Sequence, residues 1–282
     1  MYLAHFGLAE LPFGLTPDTA FAFSTRTHQE ALNTLLVAAD SGEGFIKITG
    51  EVGTGKTLLC RRFLATLPAN YLTCYLPSPN HTPRTLLFAL AEELGESLPA
   101  ASDEYILLKK INDTLLHLAA EGKRVVVCID EAQALRGSSL ETLRLLSNLE
   151  TEKRKLMQVV LFGQPELDAK LALPQLRQLR QRISFHYRLG TLSRDELRMY
   201  LDHRLRVAGH RGAEVFSRRA IAALHRASGG TPRLVNIMAH KALLAVFGAG
   251  GVQVERGHVR DAARDTRDSP NARFGWLNWL LR

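Results

Sequence analysis

The sequence predicts an α/β fold with a five-stranded parallel sheet, followed by a small all-helical domain. Three observations support this prediction. Short apolar segments with strand character alternate with helix-patterned segments, which is typical of βαβ units. A glycine-rich loop joins the first of these strands to a helix. Strand-like segments stop after residue 189, and only helical patterns follow. The chain has 282 residues, 46% of them hydrophobic, which suits a globular protein of one large domain or two.

Five short apolar runs predict the strands of the sheet, at residues 45–49, 71–76, 125–129, 157–162 and 183–189. Between them, apolar residues recur with helical spacing at residues 56–67, 85–94, 104–120, 140–151 and 174–181. Parallel strands need such crossover helices, because the chain must return to the same end of the sheet before each new strand begins.

The last third of the chain reads as a separate helical domain. Helices are expected at residues 194–207, 218–226 and 232–247, with glycine-rich breaks between them. We therefore expect an α/β domain at residues 1–190, a helical lid at 191–267, and a linker with a short tail at 268–282.

The charge distribution supports this division. The net charge is +8, yet residues 1–190 carry 20 basic and 20 acidic side chains, whereas residues 191–282 carry 16 basic and 8 acidic ones. A basic lid could face nucleic acid, anionic lipid or an acidic protein, or it could be a solvated surface rich in arginine.

The cellular compartment is predicted from what the sequence lacks. The three cysteines, Cys60, Cys74 and Cys128, form no CxxC pair and are expected to be reduced and buried. No basic-then-apolar leader opens the chain, and the longest weakly apolar run, residues 242–252, is too short to span a bilayer. These features favour a cytoplasmic protein.

One motif predicts a nucleotide site. Gly50-Glu-Val-Gly-Thr-Gly-Lys-Thr57 fits the pattern GxxxxGK[ST] between a strand and a helix. Backbone N–H groups of such a loop cradle phosphates, its lysine reaches the β- and γ-phosphates, and its threonine hydroxyl binds Mg²⁺. The expected ATP contacts come from Gly50, Glu51, Val52, Gly53, Thr54, Gly55, Lys56, Thr57 and Leu58.

Two acids follow the apolar strand 125–129. Asp130 is suited to hold Mg²⁺, and Glu131 to orient and deprotonate an attacking water, because parallel strands deliver such residues to the edge where phosphates bind. A strand lies in sequence between the loop and these acids. This arrangement favours ATPases that hydrolyse with an activated water over small GTPases and nucleotide kinases.

Polar residues near the sheet edge are candidates to complete the site. Gln164 follows the fourth strand and could contact the γ-phosphate or the water, with Gln133 and Asn148 as alternatives. Arg182 precedes the fifth strand, where an arginine could reach the phosphate of a neighbouring subunit; Arg180 is the second choice.

Arg233 is the remaining candidate, because it stands one step inside a helix that begins with proline, in Gly229-Gly-Thr-Pro-Arg233. From a lid it could return to the phosphates of its own subunit. For these arginines the alternative is a surface ion pair of little energetic value.

Several stretches together resemble the AAA+ ATPases of the general secretion pathway, the ExeA/GspA group, and among them the biogenesis ATPases of the mannose-sensitive haemagglutinin (MSHA) type IV pilus. The resemblance covers nearly the whole chain. It rests on Tyr2-Leu-x-His-Phe-Gly-Leu, Pro12-Phe-Gly-Leu-Thr-Pro-Asp18, the loop at 50–57, Asp130-Glu-Ala-Gln133, Leu143-Arg-Leu-Leu-Ser-Asn-Leu-Glu-Thr151, Leu161-Phe-Gly-Gln-Pro-Glu-Leu167, Gln181-Arg-Ile183 and Gly230-Thr-Pro-Arg233.

This resemblance implies an AAA+ core with a helical lid, a sensor role for Gln164, a finger role for Arg182 and a lid-sensor role for Arg233. It also implies that residues 12–28 help to enclose adenine. The resemblance further implies that the protein forms a nucleotide-dependent, ring-like oligomer. It also implies that the protein supports assembly of a type IV pilus or type II secretion machine at the inner membrane. The alternatives are a DNA-binding regulator of the transposition type, and a switch that binds ATP and barely hydrolyses it.

The tail, Phe274-Gly-Trp-Leu-Asn-Trp-Leu-Leu-Arg282, contains both tryptophans of the chain, Trp276 and Trp279. In a helix they would lie on adjacent turns of one face. Tryptophan favours membrane interfaces and binding hot spots. The tail is expected to attach the protein peripherally to the membrane or to a partner; the alternative is that it folds back onto its own protein.

Overall fold

The computed structural model describes residues 2–16, 20–21, 23–77, 82–150 and 155–266. They form two compact units. The α/β unit comprises residues 26–51 and 59–189, and the helical unit comprises the described parts of residues 1–25, 52–58 and 190–282. The linker and tail at 268–282 lie outside the described residues.

The α/β unit is built on five strands, β1 (Phe45–Gly50), β2 (Tyr71–Leu76), β3 (Arg124–Ile129), β4 (Met157–Gly163) and β5 (Ile183–Leu189). Their order is β2-β3-β4-β1-β5, and every neighbouring pair is parallel. The predicted five-stranded parallel sheet is therefore confirmed, with strand limits within one residue of those expected. The carboxyl ends of β1, β3 and β4 lie at one edge of this sheet.

Twelve α-helices occur in the part of the chain that the structure describes. They are α1 (Tyr2–His5), α2 (Arg26–Asp40), α3 (Lys56–Thr66), α4 (Pro83–Glu93), α5 (Glu104–Ala120), α6 (Gly137–Leu146), α7 (Glu166–Leu171), α8 (Arg177–Gln181), α9 (Arg194–Val207), α10 (Arg218–Ser228), α11 (Pro232–Gly248) and α12 (Arg256–Arg264). The sequence did not lead us to expect α1, α2, α7 or α12. Helix α2 nevertheless has an apolar side with helical spacing, which buries Ala31, Leu32, Leu35, Ala38 and Ala39.

Alternate residues of the strands fill two apolar layers, one on each face of the sheet. Val125, Val127 and Ile129 face one core, whereas Val126 and Cys128 face the other. All seven residues of β4 are buried, as expected for a central strand covered on both faces. The three cysteines are free and buried, as the sequence predicted.

The helical unit contains the amino-terminal segment, which the sequence had led us to assign to the α/β domain. Four aromatic residues of that segment, Tyr2, Phe6, Phe13 and Phe21, share a core with helices α9 to α12. Arg204 of α9 holds the segment in place: its Nε donates to the carbonyl of Pro12 at 2.5 Å, and its guanidinium lies 4.9 Å from the centre of the Phe21 ring. Burial of these aromatic rings explains why the compact units depart from the expected limits.

Within the described ranges, no helix is both long enough and apolar enough to span a bilayer.

Candidate nucleotide site

The glycine-rich loop leads from β1 to the first turn of α3, as the motif requires. Gly53 and Gly55 have φ angles of 79° and 95°, a region that side-chain-bearing residues rarely adopt, so these two positions need glycine. Lys56 begins α3 and is only 5% exposed, and Thr54 is fully buried. A lysine so deeply buried needs anionic or hydrogen-bonding partners around its ammonium.

Within the helical unit, the loop contacts the start of α11. The backbone N–H of Arg233 donates to the carbonyl of Gly53 at 3.3 Å. A β-carbon at Gly53 would lie 2.4 Å from Cβ of Arg233, so only glycine allows this approach. The sequence-predicted residue Arg233 therefore touches the loop through its backbone, while its side chain is exposed.

The Gly229-Gly230 break before α11 has an equally specific packing. Gly230 has a φ of 74°, and a β-carbon there would lie 2.2 Å from the carbonyl oxygen of Leu192. In return, the N–H of Leu192 donates to the carbonyl of Gly230 at 2.9 Å. This junction determines how the chain turns from α10 into α11, and thus where Arg233 stands.

The two predicted acids lie directly after β3, in the α/β unit. Asp130 is 3% exposed, and its Oδ1 accepts the N–H of Glu131 at 2.9 Å. Glu131 has a φ of 52°, and it is the single non-glycine residue with positive φ in the described ranges. A side chain held in this sparsely populated region is strained, and such strain concentrates at functional sites.

Two glutamines hold the Glu131 carboxylate. The side-chain amides of Gln133 and Gln164 both donate to its Oε2, at 2.5 and 2.9 Å. The glutamines are also joined, because the backbone N–H of Gln164 donates to Oε1 of Gln133 at 3.0 Å. The structure thus brings together three of the predicted residues, Glu131, Gln133 and Gln164. Gln133 was expected only as an alternative to Gln164, but both glutamines hydrogen-bond to Glu131.

The short 3-10 turn that carries Gln133, residues Ala132–Ala134, is braced by a lysine that sequence reasoning missed. The ammonium of Lys170, on α7, donates to the backbone carbonyls of Gln133 and Leu135. No local signal in the sequence marks this lysine, because its partners lie more than 30 residues away in the chain.

Tyr75 is a second neighbour that the sequence did not single out. Its hydroxyl donates to Oδ2 of Asp130 at 3.4 Å. Burial, together with the nearby Asp130 carboxylate, raises the pKa of the Tyr75 phenol to about 12. The phenol consequently stays protonated and can act as a donor to Asp130 throughout the physiological pH range.

The remaining candidates lie apart from Glu131. Arg182 is half-buried at the end of α8, with Nη1 3.4 Å from the hydroxyl of Ser147, whereas Arg180 is exposed. Asn148 is exposed after the end of α6. Glu51 is exposed as well, and its carboxylate lies 3.8 Å from the guanidinium of Arg188.

The donors that the sequence predicts for a metal are hard oxygen atoms. They are the Thr57 hydroxyl in the helical unit and the Asp130 carboxylate in the α/β unit. Across the described ranges, no three His, Cys, Asp or Glu side chains come together to form a metal-binding group. This donor set fits Mg²⁺, which prefers oxygen, retains water and is commonly bound through one or two protein ligands plus substrate phosphates.

Comparison with known proteins relates this chain to proteins that contain an AAA domain. A model of the AAA domain matches residues 39–171. General secretion pathway protein A from Aeromonas hydrophila is 44% identical over 263 residues, which is 93% of this chain and 48% of that protein. The chain thus spans about half the length of this curated relative, and the expected resemblance to the general secretion pathway group is confirmed.

Solved structures with the same fold are more distant in sequence. The match to Cdc6p from Pyrobaculum aerophilum has a TM-score of 0.67 at 17% identity, and covers 88% of this chain and 70% of that one. ORC1 of Aeropyrum pernix, solved with DNA, gives 0.62 at 20% identity, covering 90% and 69%. The RuvB branch-migration motor of Thermotoga maritima gives 0.54 at 14% identity, covering 87% and 72%. The chain has the P-loop AAA+ fold of these structures, contains an AAA domain at residues 39–171, and is related over most of its length to general secretion pathway protein A.

Proposed function

We propose that this chain binds ATP with Mg²⁺ and hydrolyses it to ADP and phosphate. Loop residues 50–58 surround the phosphates, and Lys56 neutralises charge on the β- and γ-phosphates. Thr57 and Asp130 hold the metal ion, which supplies charge stabilisation to the phosphates when bound. The order of the strands supports the proposal, because β1, which leads into the loop, and β3, which leads into Asp130, end at the same edge of the sheet.

The observation that carries the proposal is the restrained carboxylate of Glu131. Its Oε2 accepts two amide hydrogens, and no described residue hydrogen-bonds to Oε1. In our proposal Oε1 accepts a proton from the attacking water, while Gln133 and Gln164 act as positioning residues that keep the carboxylate oriented. The amides suit this task, because both donate to Oε2 and so orient the carboxylate without occupying Oε1.

We propose further that the active form is an oligomer, in which Arg182 acts at the nucleotide site of a neighbouring subunit. Arg233 would sense the nucleotide from the helical unit. The work supported by hydrolysis would be assembly of an envelope machine at the cytoplasmic face of the inner membrane, either a type II secretion system or a type IV pilus of the MSHA kind. The relation to general secretion pathway protein A supports this client.

The test compares Lys56→Ala with Glu131→Gln. Loss of the lysine removes a charge-assisted contact of about 1.5–3 kcal/mol, so ATP binding should weaken at least about tenfold. Loss of the base should leave the Kd for ATP close to that of the wild type and slow hydrolysis by about 10²- to 10⁴-fold. Equilibrium binding of a fluorescent ATP analogue and phosphate release measure the two effects.

The control is Lys109→Ala, which removes an exposed lysine on α5 and should change neither quantity. Wild-type turnover by Glu131→Gln would refute the assignment of the base. Unchanged ATP binding by Lys56→Ala would refute the assignment of the phosphate loop.

A further inference from the structure

Five exposed arginines lie on two neighbouring helices of the helical unit. We call this set the arginine ridge; it consists of Arg218 and Arg219 on α10 and Arg256, Arg260 and Arg264 on α12. The last three are four residues apart, whereas Val259 and Ala262 of the same helix are buried. They therefore form a row about 12 Å long on the exposed side of α12.

The two helices begin side by side, which brings both groups of arginines together. Phe216 and Val254 form a parallel bridge just before α10 and α12. At the next position, the hydroxyl of Ser217 donates to Oε2 of Glu255 at 2.9 Å. These residues immediately precede Arg218 and Arg256, so the first turns of both helices present their arginines at one place.

Little in the structure neutralises this charge. Across the described ranges, the side chains of Arg218, Arg219 and Arg256 take part in no hydrogen bond or ion pair, and all three residues are exposed. Asp261 lies 3.8 Å from Arg260 and 3.7 Å from Arg264, distances of weak, exposed pairs. Arginines in the first turn of a helix also oppose its dipole, so their placement does not serve stability.

We propose that the arginine ridge binds the phosphate headgroups of an anionic lipid bilayer. Guanidinium groups bind phosphate oxygens in a bidentate way, and arginine is nearly the only cation of this region, with 15 of the 16 basic residues after position 190. A straight row of arginines on a convex helix face fits a flat charged surface.

The sequence after α12 favours lipid over nucleic acid as the phosphate source. Within 18 residues of Arg264 the chain carries Trp276, Trp279 and three leucines, the residue types that enter membrane interfaces. That tail lies outside the described residues. A basic surface followed by an apolar segment supplies the two signals that stable peripheral binding needs.

Vesicle flotation of the full chain tests the proposal. Wild-type protein should bind vesicles of phosphatidylcholine mixed with phosphatidylglycerol, and bind phosphatidylcholine alone much more weakly. Each arginine near an anionic surface contributes about a fivefold factor, so the combined variant Arg256→Gln, Arg260→Gln, Arg264→Gln should lose about a hundredfold in partitioning. High salt should abolish the difference between wild type and variant.

The matched control removes three exposed cations of the α/β unit, Lys109→Gln, Lys123→Gln and Arg136→Gln, and should keep most of the binding. Thermal melts and ATP binding, run on every variant, show that each is folded, and they separate failure of this proposal from failure of the nucleotide site. Equal loss in both combined variants would overturn the proposal, as would unchanged binding by the ridge variant. So would ridge-dependent binding of a short DNA duplex with no binding to either vesicle.

Discussion

At the scale of single residues, the environment of Glu131 is the most informative feature. Two neutral side-chain amides restrain its carboxylate, and both donate to the same oxygen, Oε2. The strained backbone of Glu131 and the adjacent buried Asp130 show that local folding alone would not choose this geometry.

We expect Gln133→Ala and Gln164→Ala each to lower kcat about tenfold, because the carboxylate then samples unproductive orientations, while the Kd for ATP stays constant. Gln164→Asn should recover part of the loss only if the shorter amide still reaches Glu131. The control is Gln29→Ala, whose exposed amide on α2 bonds only to Asn33. Weaker ATP binding with unchanged kcat would mean that these amides contact the nucleotide instead.

His240 makes the helical unit sensitive to acid. Burial raises the pKa of the Tyr2 phenol to about 12, and its hydroxyl oxygen lies within hydrogen-bond distance of Nδ1 of His240, at 2.8 Å. Burial also lowers the pKa of His240 below its usual value of 6.5. In the unfolded chain the imidazole therefore takes up a proton at a higher pH than in the folded protein.

The stabilising effect of a neutral His240 is fully present above about pH 6.5 and is lost as the pH falls below it. Urea unfolding between pH 8 and pH 5 should show this loss in the wild type. His240→Asn, which keeps an acceptor that does not titrate, should show a flatter dependence. Parallel curves for the two proteins would assign the acid sensitivity to other groups.

At the scale of elements, the junction between α10 and α11 controls where Arg233 stands. Gly230→Ala would force a β-carbon against the carbonyl of Leu192 at positive φ, and should cost about 1–3 kcal/mol of unfolding free energy. Gly53→Ala should weaken ATP binding, because the added methyl would push the start of α11 away from the loop.

Gly248→Ala is the matched control for both substitutions. It lies at the end of α11, where a β-carbon would meet nothing within 4 Å, so the change should be neutral or slightly stabilising. Urea unfolding and ATP titration measure the three variants. If Gly230→Ala is as stable as Gly248→Ala, the junction between α10 and α11 can accommodate a β-carbon at position 230 without strain.

At the scale of the whole molecule, the role proposed for Arg182 requires a second copy of the chain, because this arginine would act at the nucleotide site of a neighbouring subunit. Arg182 is half-buried beside Ser147 in its own subunit, which gives it a defined position from which to act on a neighbour. If it acts between subunits, specific activity should rise with protein concentration, since only assembled chains contain complete sites.

Arg182→Ala and Lys56→Ala are each expected to be inactive alone. Mixing them should restore activity, because about a quarter of the interfaces in an equal mixture would combine an intact loop with an intact arginine finger. Arg180→Ala mixed with Lys56→Ala serves as the comparison for the second candidate. If mixtures shown to co-assemble recover no ATPase activity, Arg182 does not act between subunits and is a surface arginine.

The local pattern of the sequence was sufficient to place the strands, the glycine-rich loop between β1 and α3, and the pair Asp130-Glu131 directly after β3. Alternation, helical spacing and a contiguous motif are all encoded within a few residues. It also marked Gln164, Arg182 and Arg233 as candidates. The helices α2 and α12 were not predicted, although apolar residues recur in both with helical spacing.

Tertiary structure alone decided which of these residues meet. Gln133 and Gln164 converge on Glu131 because β3 and β4 are neighbours in the sheet, an order that no local pattern encodes. The amino-terminal aromatic residues pack beside α9 through contacts between residues about 190 positions apart. Secondary structure follows from local sterics and periodicity, whereas such long-range pairings follow from how the completed elements bury their apolar faces.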